Sequence, residues 1–167
     1  MRVRPLRPDE RGWLAATIRE RWGADVVVGR GTVWTPADLP AVVAIDDTGA
    51  RVGVATYAVT GDAGELVTID ALVRGVGAGS ALVEGVVAAV RDAGAHRLQV
   101  MTTNDNLTAL RLYQRAGFRL TALRPGAVDA ARRSKPSIPV VGQHGIPLRD
   151  ELDLERDLRE DGVPVAG

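Results

Sequence analysis

Leu66-Val67-Thr68-Ile69-Asp70-Ala71-Leu72-Val73-Arg74-Gly75-Val76-Gly77-Ala78-Gly79-Ser80-Ala81-Leu82 reads as an apolar strand, a glycine-rich turn and the start of a helix. Glycine lets the backbone bend tightly and lets a ligand approach main-chain N–H groups without a side chain in the way. The first N–H groups of a helix lack partners and carry the positive end of its dipole, so a phosphate fits there. Arg74 adds a possible charge-assisted contact. Read alone, the same glycines also serve as a plain tight joint between strand and helix. A dinucleotide fingerprint fits worse. It needs a third glycine where Ser80 stands and an acidic residue where Thr102 and Thr103 end the next strand.

Outward from this joint, the helix runs from about Gly77 to Ala93, with Leu82, Val83, Val86, Val87 and Val90 on one apolar face and Gly94 ending it. Arg97–Thr102 is a strand, Asn106–Ala116 a helix closed by Gly117, and Phe118–Leu123 a strand. Upstream, Val3–Leu6 reads as a strand and Asp9 as the cap of a helix reaching Trp22. Val26–Val28 is a short extended piece, and Thr35-Pro36 starts a helix that Pro40 keeps short. Ala41–Asp46 and Arg51–Val59 flank a hairpin loop at Asp47-Thr48-Gly49, and a second turn at 60–64 leads into a strand Glu65–Val73. Beyond Arg124, residues 128–134 give one or two helical turns, 135–146 are rich in Pro and Gly, and Leu148–Leu158 forms a last strand. Hairpins followed by alternating helices and strands predict a mixed α/β fold.

A second motif follows the next strand directly: Asn106-Leu107-Thr108-Ala109-Leu110-Arg111-Leu112-Tyr113-Gln114-Arg115-Ala116-Gly117-Phe118. With both in view, the chain resembles the GNAT superfamily of N-acetyltransferases. Arg74, Gly77 and Gly79 match its Arg/Gln-x-x-Gly-x-Gly/Ala motif. Asn106, Ala109, Leu112, Tyr113, Gly117 and Phe118 match its Asn-x-x-Ala-x-x-Leu-Tyr-x-x-x-Gly-Phe motif. The match is close over about 65–123 and looser upstream.

The resemblance implies a mixed, mostly antiparallel twisted sheet of about six to seven strands. Helices would cover both faces, and the fourth and fifth strands would splay apart around acetyl-CoA. It implies cofactor contacts from Ile69, Ala71, Leu72, Arg74, Val76, Gly77, Ala78, Gly79, Ser80, Asn106, Ala109 and Tyr113. The pyrophosphate would lie on the N–H groups of Val76–Ser80. Asn106 reads equally well as a helix cap. Tyr113 matches the usual general acid. A phenol near pKa 10 and a thiol near 8.5 make that proton transfer close to balanced. Some relatives use a glutamate on the fourth strand as base, which favours Glu65. Asp70 sits on the opposite face of a regular strand, unless a bulge changes the count.

Acceptor contacts are expected from 22–34 and 124–149, with Trp34 and His144 as candidates and Trp22, Arg30 and Asp150 nearby. Three function classes follow: transfer to a small-molecule amine by direct attack in a ternary complex, transfer to a protein or peptide, or non-catalytic acyl-CoA sensing.

Composition narrows the rest. With 167 residues and 46% apolar content, one domain over 1–160 and a short flexible tail over 161–167 are expected. Basic and acidic residues number 21 each, which predicts no nucleic-acid or membrane partner. Lys135 is the sole lysine, so an arginine here says less about phosphate than usual. The absence of cysteine excludes a covalent acyl-cysteine, a disulfide and thiolate metal sites, and no metal is expected. With no apolar stretch near membrane length, the protein is expected to be cytoplasmic and bacterial, and a homodimer is possible.

Overall fold

In the computed structural model, residues 1–159 are described; the tail expected at 161–167 lies outside them. The described residues form nine strands and four α-helices: β1 (Arg2–Pro5), α1 (Arg11–Trp22), β2 (Val27–Gly29), β3 (Thr32–Trp34), β4 (Ala41–Ile45), β5 (Arg51–Thr60), β6 (Ala63–Ala71), α2 (Ala78–Asp92), β7 (Arg97–Thr103), α3 (Leu107–Arg115), β8 (Arg119–Arg124), α4 (Ala127–Ser134) and β9 (Glu151–Asp157). Seven strands form one sheet in the order β1-β4-β5-β6-β7-β9-β8, and β2 and β3 form a separate ribbon. All neighbours in the large sheet are antiparallel except β6 and β7. The mixed, mostly antiparallel sheet is therefore as expected.

The sheet is covered on both faces because its strands are apolar on both. On one face Leu82, Val83, Val86, Val87 and Val90 of α2 pack on Val42, Ala44, Ala55, Leu66, Leu98 and Leu154. On the other, Leu14 and Ile18 of α1 pack on Ala41, Val43, Ile45 and Val54. Alternate residues of β4 thus serve opposite cores, as strand pleating dictates. Close approach of α2 to the sheet needs glycine. A Cβ on Gly64 would lie 2.5 Å from Val90 Cγ1 and 3.2 Å from Leu98 Cδ1. Gly64→Val is expected to cost about 1–3 kcal/mol by overpacking, read as a lower denaturant midpoint at unchanged slope.

Three local expectations differ from the structure. Asp9 does not cap α1; it is exposed and pairs with Arg7, and the buried carboxylate near this end is Glu10. Residues 32–34, left unassigned from sequence, form a strand, because Arg30 (φ 53°) and Gly31 (φ 75°) make a tight turn that folds β3 back on β2. The last strand begins at Glu151, not Leu148, since the Asn104 side chain binds the Arg149 and Asp150 N–H groups at 3.0 Å. No helix among the described residues is long and apolar enough to cross a membrane.

Candidate active site

β6 and β7 pair over only four rungs, from Ala63–Arg97 to Leu66–Val100. Beyond them β6 stays with β5 as far as Ala71, and β7 stays with β9 as far as Thr103. The two strands follow different neighbours, so a wedge opens between them. A bulge marks the point of divergence. Thr56 pairs with Thr68 and Tyr57 with Leu66, which leaves Val67 as the extra residue. The wedge is a cleft of about 530 Å³. Ile69, Asp70 and Ala71 line one side, Met101, Thr102 and Thr103 the other, and Ala109, Leu112 and Tyr113 of α3 close it. Past Leu66 the main chain of β6 has no partner on β7, and the Ala71 carbonyl accepts instead from Arg21 Nη2 at 3.0 Å.

At the mouth, Gly75 and Gly77 take left-handed backbone (φ 78° and 81°) and set Gly77 as the cap of α2. The first helical bond runs from Ala81 N to Gly77 O. Among the described residues the N–H groups of Val76, Gly77, Ala78, Gly79 and Ser80 donate to no protein acceptor. Gly79 lines the cleft, where a Cβ would touch Leu112 at 3.3 Å. Buried Ala78 anchors the turn in the core, and Arg74 is exposed beside it. Unpaired N–H donors at a helix start suit an anion.

The loop after β7 ties three parts together. Asn106 Oδ1 accepts from Ala109 N at 3.0 Å and caps α3, so its capping role is realised. Asp105, 4% exposed, accepts from Thr103 Oγ1 at 2.5 Å and from Gln143 N at 2.8 Å. Asn104 donates to Pro147 O at 2.8 Å and holds residues 149–150. The segment between β8 and β9 is thereby fastened to the loop that starts α3.

Polar residues that line the cleft include Thr102, Thr103, Lys135, Gln143 and Glu151 as well as Asp70 and Tyr113. Tyr113 is 4% exposed, its ring tilted against Phe118 at 5.7 Å, and its hydroxyl has no hydrogen-bond partner among the described residues. Burial, and secondarily the charge of Asp70, push the phenol well above its ordinary value. Asp70 is also pushed up by burial, opposed by the Trp22 Nε1 hydrogen bond (2.8 Å) and by Arg21, whose Nε stands 3.8 Å from Oδ1. A carboxylate and a phenol thus line one cleft, and burial raises the pKa of both.

The acetyltransferase (GNAT) family model matches residues 8–118. The chain is 34% identical over 146 residues to the uncharacterized protein YxbD of Bacillus subtilis (strain 168), covering 87% of this chain and 92% of that one. This chain belongs to the GNAT family. Its fold is also that of an IAA acetyltransferase from Bacillus cereus ATCC 14579 (TM-score 0.67, 22% identity, 93% and 97% of the two chains). A Bacillus subtilis acetyltransferase in complex with CoA is similar (TM-score 0.65, 20% identity, 93% and 97%).

Within this GNAT domain the expected site residues divide. Ile69, Ala71, Gly79, Asn106, Ala109 and Tyr113 line the cleft. Leu72, Arg74, Val76 and Gly77 lie in the turn after β6, and Ala78 and Ser80 in the first turn of α2. Glu65 is elsewhere. The bulge at Val67 does place it on the same face as Asp70, since their partners Ala58 and Val54 are an even number apart. It falls short of the splay, at the last rungs where β6 still pairs with β7, and does not line the cleft. Burial raises its pKa, against the pull of Arg30. His144 sits on an exposed turn with φ 57°, and Trp34 in β3 has its Nε1 buried without a partner; neither lines the cleft.

Trp22, one of the acceptor candidates, lines the cleft, while Arg30 and Asp150 do not; the uses of Asn104 and Asp105 escape a reading of the sequence. The only local signal is three consecutive short polar residues, Asn104-Asp105-Asn106, where one cap suffices.

Proposed function

We propose that this chain transfers an acetyl group from acetyl-CoA to the amine of a small molecule, by direct attack in a ternary complex. The observation that carries the reading is the wedge between β6 and β7. It has unpaired N–H donors of 76–80 at its mouth and Asp70 and Tyr113 facing inside. Those donors fit a pyrophosphate, and the free edge of β6 fits the amide groups of a pantetheine arm. Acetyl-CoA supplies the thioester. Solved structures of this fold that hold CoA or acetyl-CoA support the same choice of donor.

Acyl transfer forms one N–C bond and breaks one C–S bond. One proton leaves the amine and one reaches the sulfur. Asp70 accepts the first, directly or through one water, and Tyr113 donates the second. The buried phenol is a weaker acid than near-balance with a free thiol implies. A thiolate leaving in the same dry cleft is raised by the same desolvation, which brings the two together again. Holding both reactants in the wedge supplies the remainder through positioning.

Release of free CoA thiol from acetyl-CoA in the presence of amines tests the reading; a sensor would bind acetyl-CoA and release none. Asp70→Asn is expected to lower kcat by about 10²-fold, the low end for a lost general base, because water can relay the proton. With its pKa raised, wild-type kcat/KM should fall as pH drops through a value above the ordinary carboxylate range. That acidic limb should vanish in the variant. An unchanged pH profile would remove Asp70 from the mechanism.

A further inference from the structure

Trp22 ends α1 and reaches across 48 residues to the splayed end of β6. Gly23 stops the helix just past it, with left-handed backbone (φ 68°) and its N–H bonded to Arg19 O at 3.0 Å. Three ties then fix this helix end. Arg21 Nη2 donates to the Ala71 carbonyl at 3.0 Å, Trp22 Nε1 donates to Asp70 Oδ2 at 2.8 Å, and Lys135 Nζ donates to the Trp22 carbonyl at 3.2 Å.

An indole N–H donates only and carries no charge. It favours the ionised form of the carboxylate it meets and takes no part in proton transfer itself. Among the described residues it is the sole hydrogen-bond donor to the Asp70 side chain, and Arg21 Nε stands 3.8 Å from the other oxygen, Oδ1. The titratable groups that line the cleft with Asp70 are Arg21 from α1, Tyr113 from α3, Lys135 just after α4 and Glu151 from β9. Lys135 is held by the Trp22 main chain, and Glu151 by Arg124 at 2.7 Å.

On the reading that Asp70 accepts the amine's proton, we infer that Trp22 is a positioning residue: its indole N–H anchors Oδ2 and turns Oδ1 to the acceptor. Anchoring one oxygen stops the carboxylate rotating, so the other keeps one place relative to the bound amine. The same N–H opposes burial, which by itself would keep Asp70 protonated over more of the pH range. Deleting it raises the pKa of Asp70 further, so the acidic limb of kcat/KM moves to higher pH.

The chain has three tryptophans, so three indole N–H signals are expected in a nitrogen-15 NMR spectrum, and Trp22→Phe marks the one from Trp22. That signal is expected to move with pH as Asp70 titrates, with a midpoint above the ordinary carboxylate range, and to stop moving in Asp70→Asn. Activity is read as CoA thiol release against pH, on whichever of phenethylamine, spermidine, kanamycin and a tripeptide with a free amino terminus turns over fastest. Trp22→Phe is expected to lower kcat about tenfold and leave the Kd for acetyl-CoA within about twofold. Its acidic limb should move up by about 0.5–1 pH unit, a modest shift because Trp22 is 37% exposed. In an Asp70→Asn background the same substitution should change kcat by less than about twofold. An indole signal that titrates alike in Asp70→Asn, or a Trp22→Phe enzyme with the wild-type pH profile, would overturn the inference while leaving acetyl transfer standing. An Asp70→Asn enzyme of wild-type activity would overturn the base reading and this inference with it. So would acetyl-CoA that binds without thiol release on any of the four amines, which overturns transfer itself.

Discussion

Tyr113→Phe is expected to lower kcat by about 10³-fold while the Kd for acetyl-CoA changes by less than about twofold. The expected loss exceeds that for Asp70→Asn because of the hydroxyl's setting. Tyr113 is buried on α3 and packed on Phe118, so little water stands ready to protonate a leaving thiolate in its place. Phenylalanine keeps the ring and its contacts, so the fold and the turn at 76–80 are undisturbed. Calorimetry with acetyl-CoA and steady-state thiol release on one amine separate the two quantities. A variant with wild-type kcat would show that the departing sulfur takes its proton elsewhere.

The second large effect concerns stability. Glu10 is 3% exposed and accepts from Arg4 at 2.7 and 2.8 Å, from Arg7 N at 3.0 Å and from Arg51 at 3.3 Å. Arg51 also stacks on Trp13 at 4.3 Å, so this carboxylate joins β1, β5 and α1. The Arg4 hydrogen bond holds its pKa down at about 2, below an ordinary 4.5. Glu10→Ala leaves three guanidinium groups facing one another around a cavity. Breaking a buried pair costs about 3–5 kcal/mol, but these arginines are 24–59% exposed, so about 2–3 kcal/mol is expected. The sign with pH follows from the depressed value. The stabilisation is complete above about 4.5 and is lost as pH falls from there through about 2. Wild-type melting temperature should decline across that window, and the variant's decline should be shallower. Asp46 and Asp157 are depressed too and set the residual slope. An equal slope in both proteins would mean that Glu10 is not held as described.

Much of the site was legible because its parts are local. The donor turn is made by Gly75, Gly77 and the first residues of α2, all within a few positions of one another. The Asn106 cap needs only the N–H of Ala109. The choice of carboxylate was not legible. Alternation along a regular strand separates Glu65 from Asp70, and the bulge at Val67 that reunites them depends on how β6 meets β5. Which of the two faces the cleft depends in turn on β7 leaving after Leu66. The β2–β3 ribbon was half visible, since Gly29-Arg30-Gly31 carries the turn but Thr32–Trp34 is too short for periodicity to show.

The sequence by itself determined the strand–turn–helix joint at 66–82, the helix at 107–115 and the family they mark, because these rest on backbone conformation and bonds between near neighbours. Only the tertiary structure decided that β9 inserts between β7 and β8, and that Asp105 fastens Gln143 across 38 residues. It also decided that Trp22 reaches Asp70 across 48. Those contacts join segments whose separation no local pattern encodes. Strand register and core packing set them, and they place Asp70 and the segment between α4 and β9 beside the cleft.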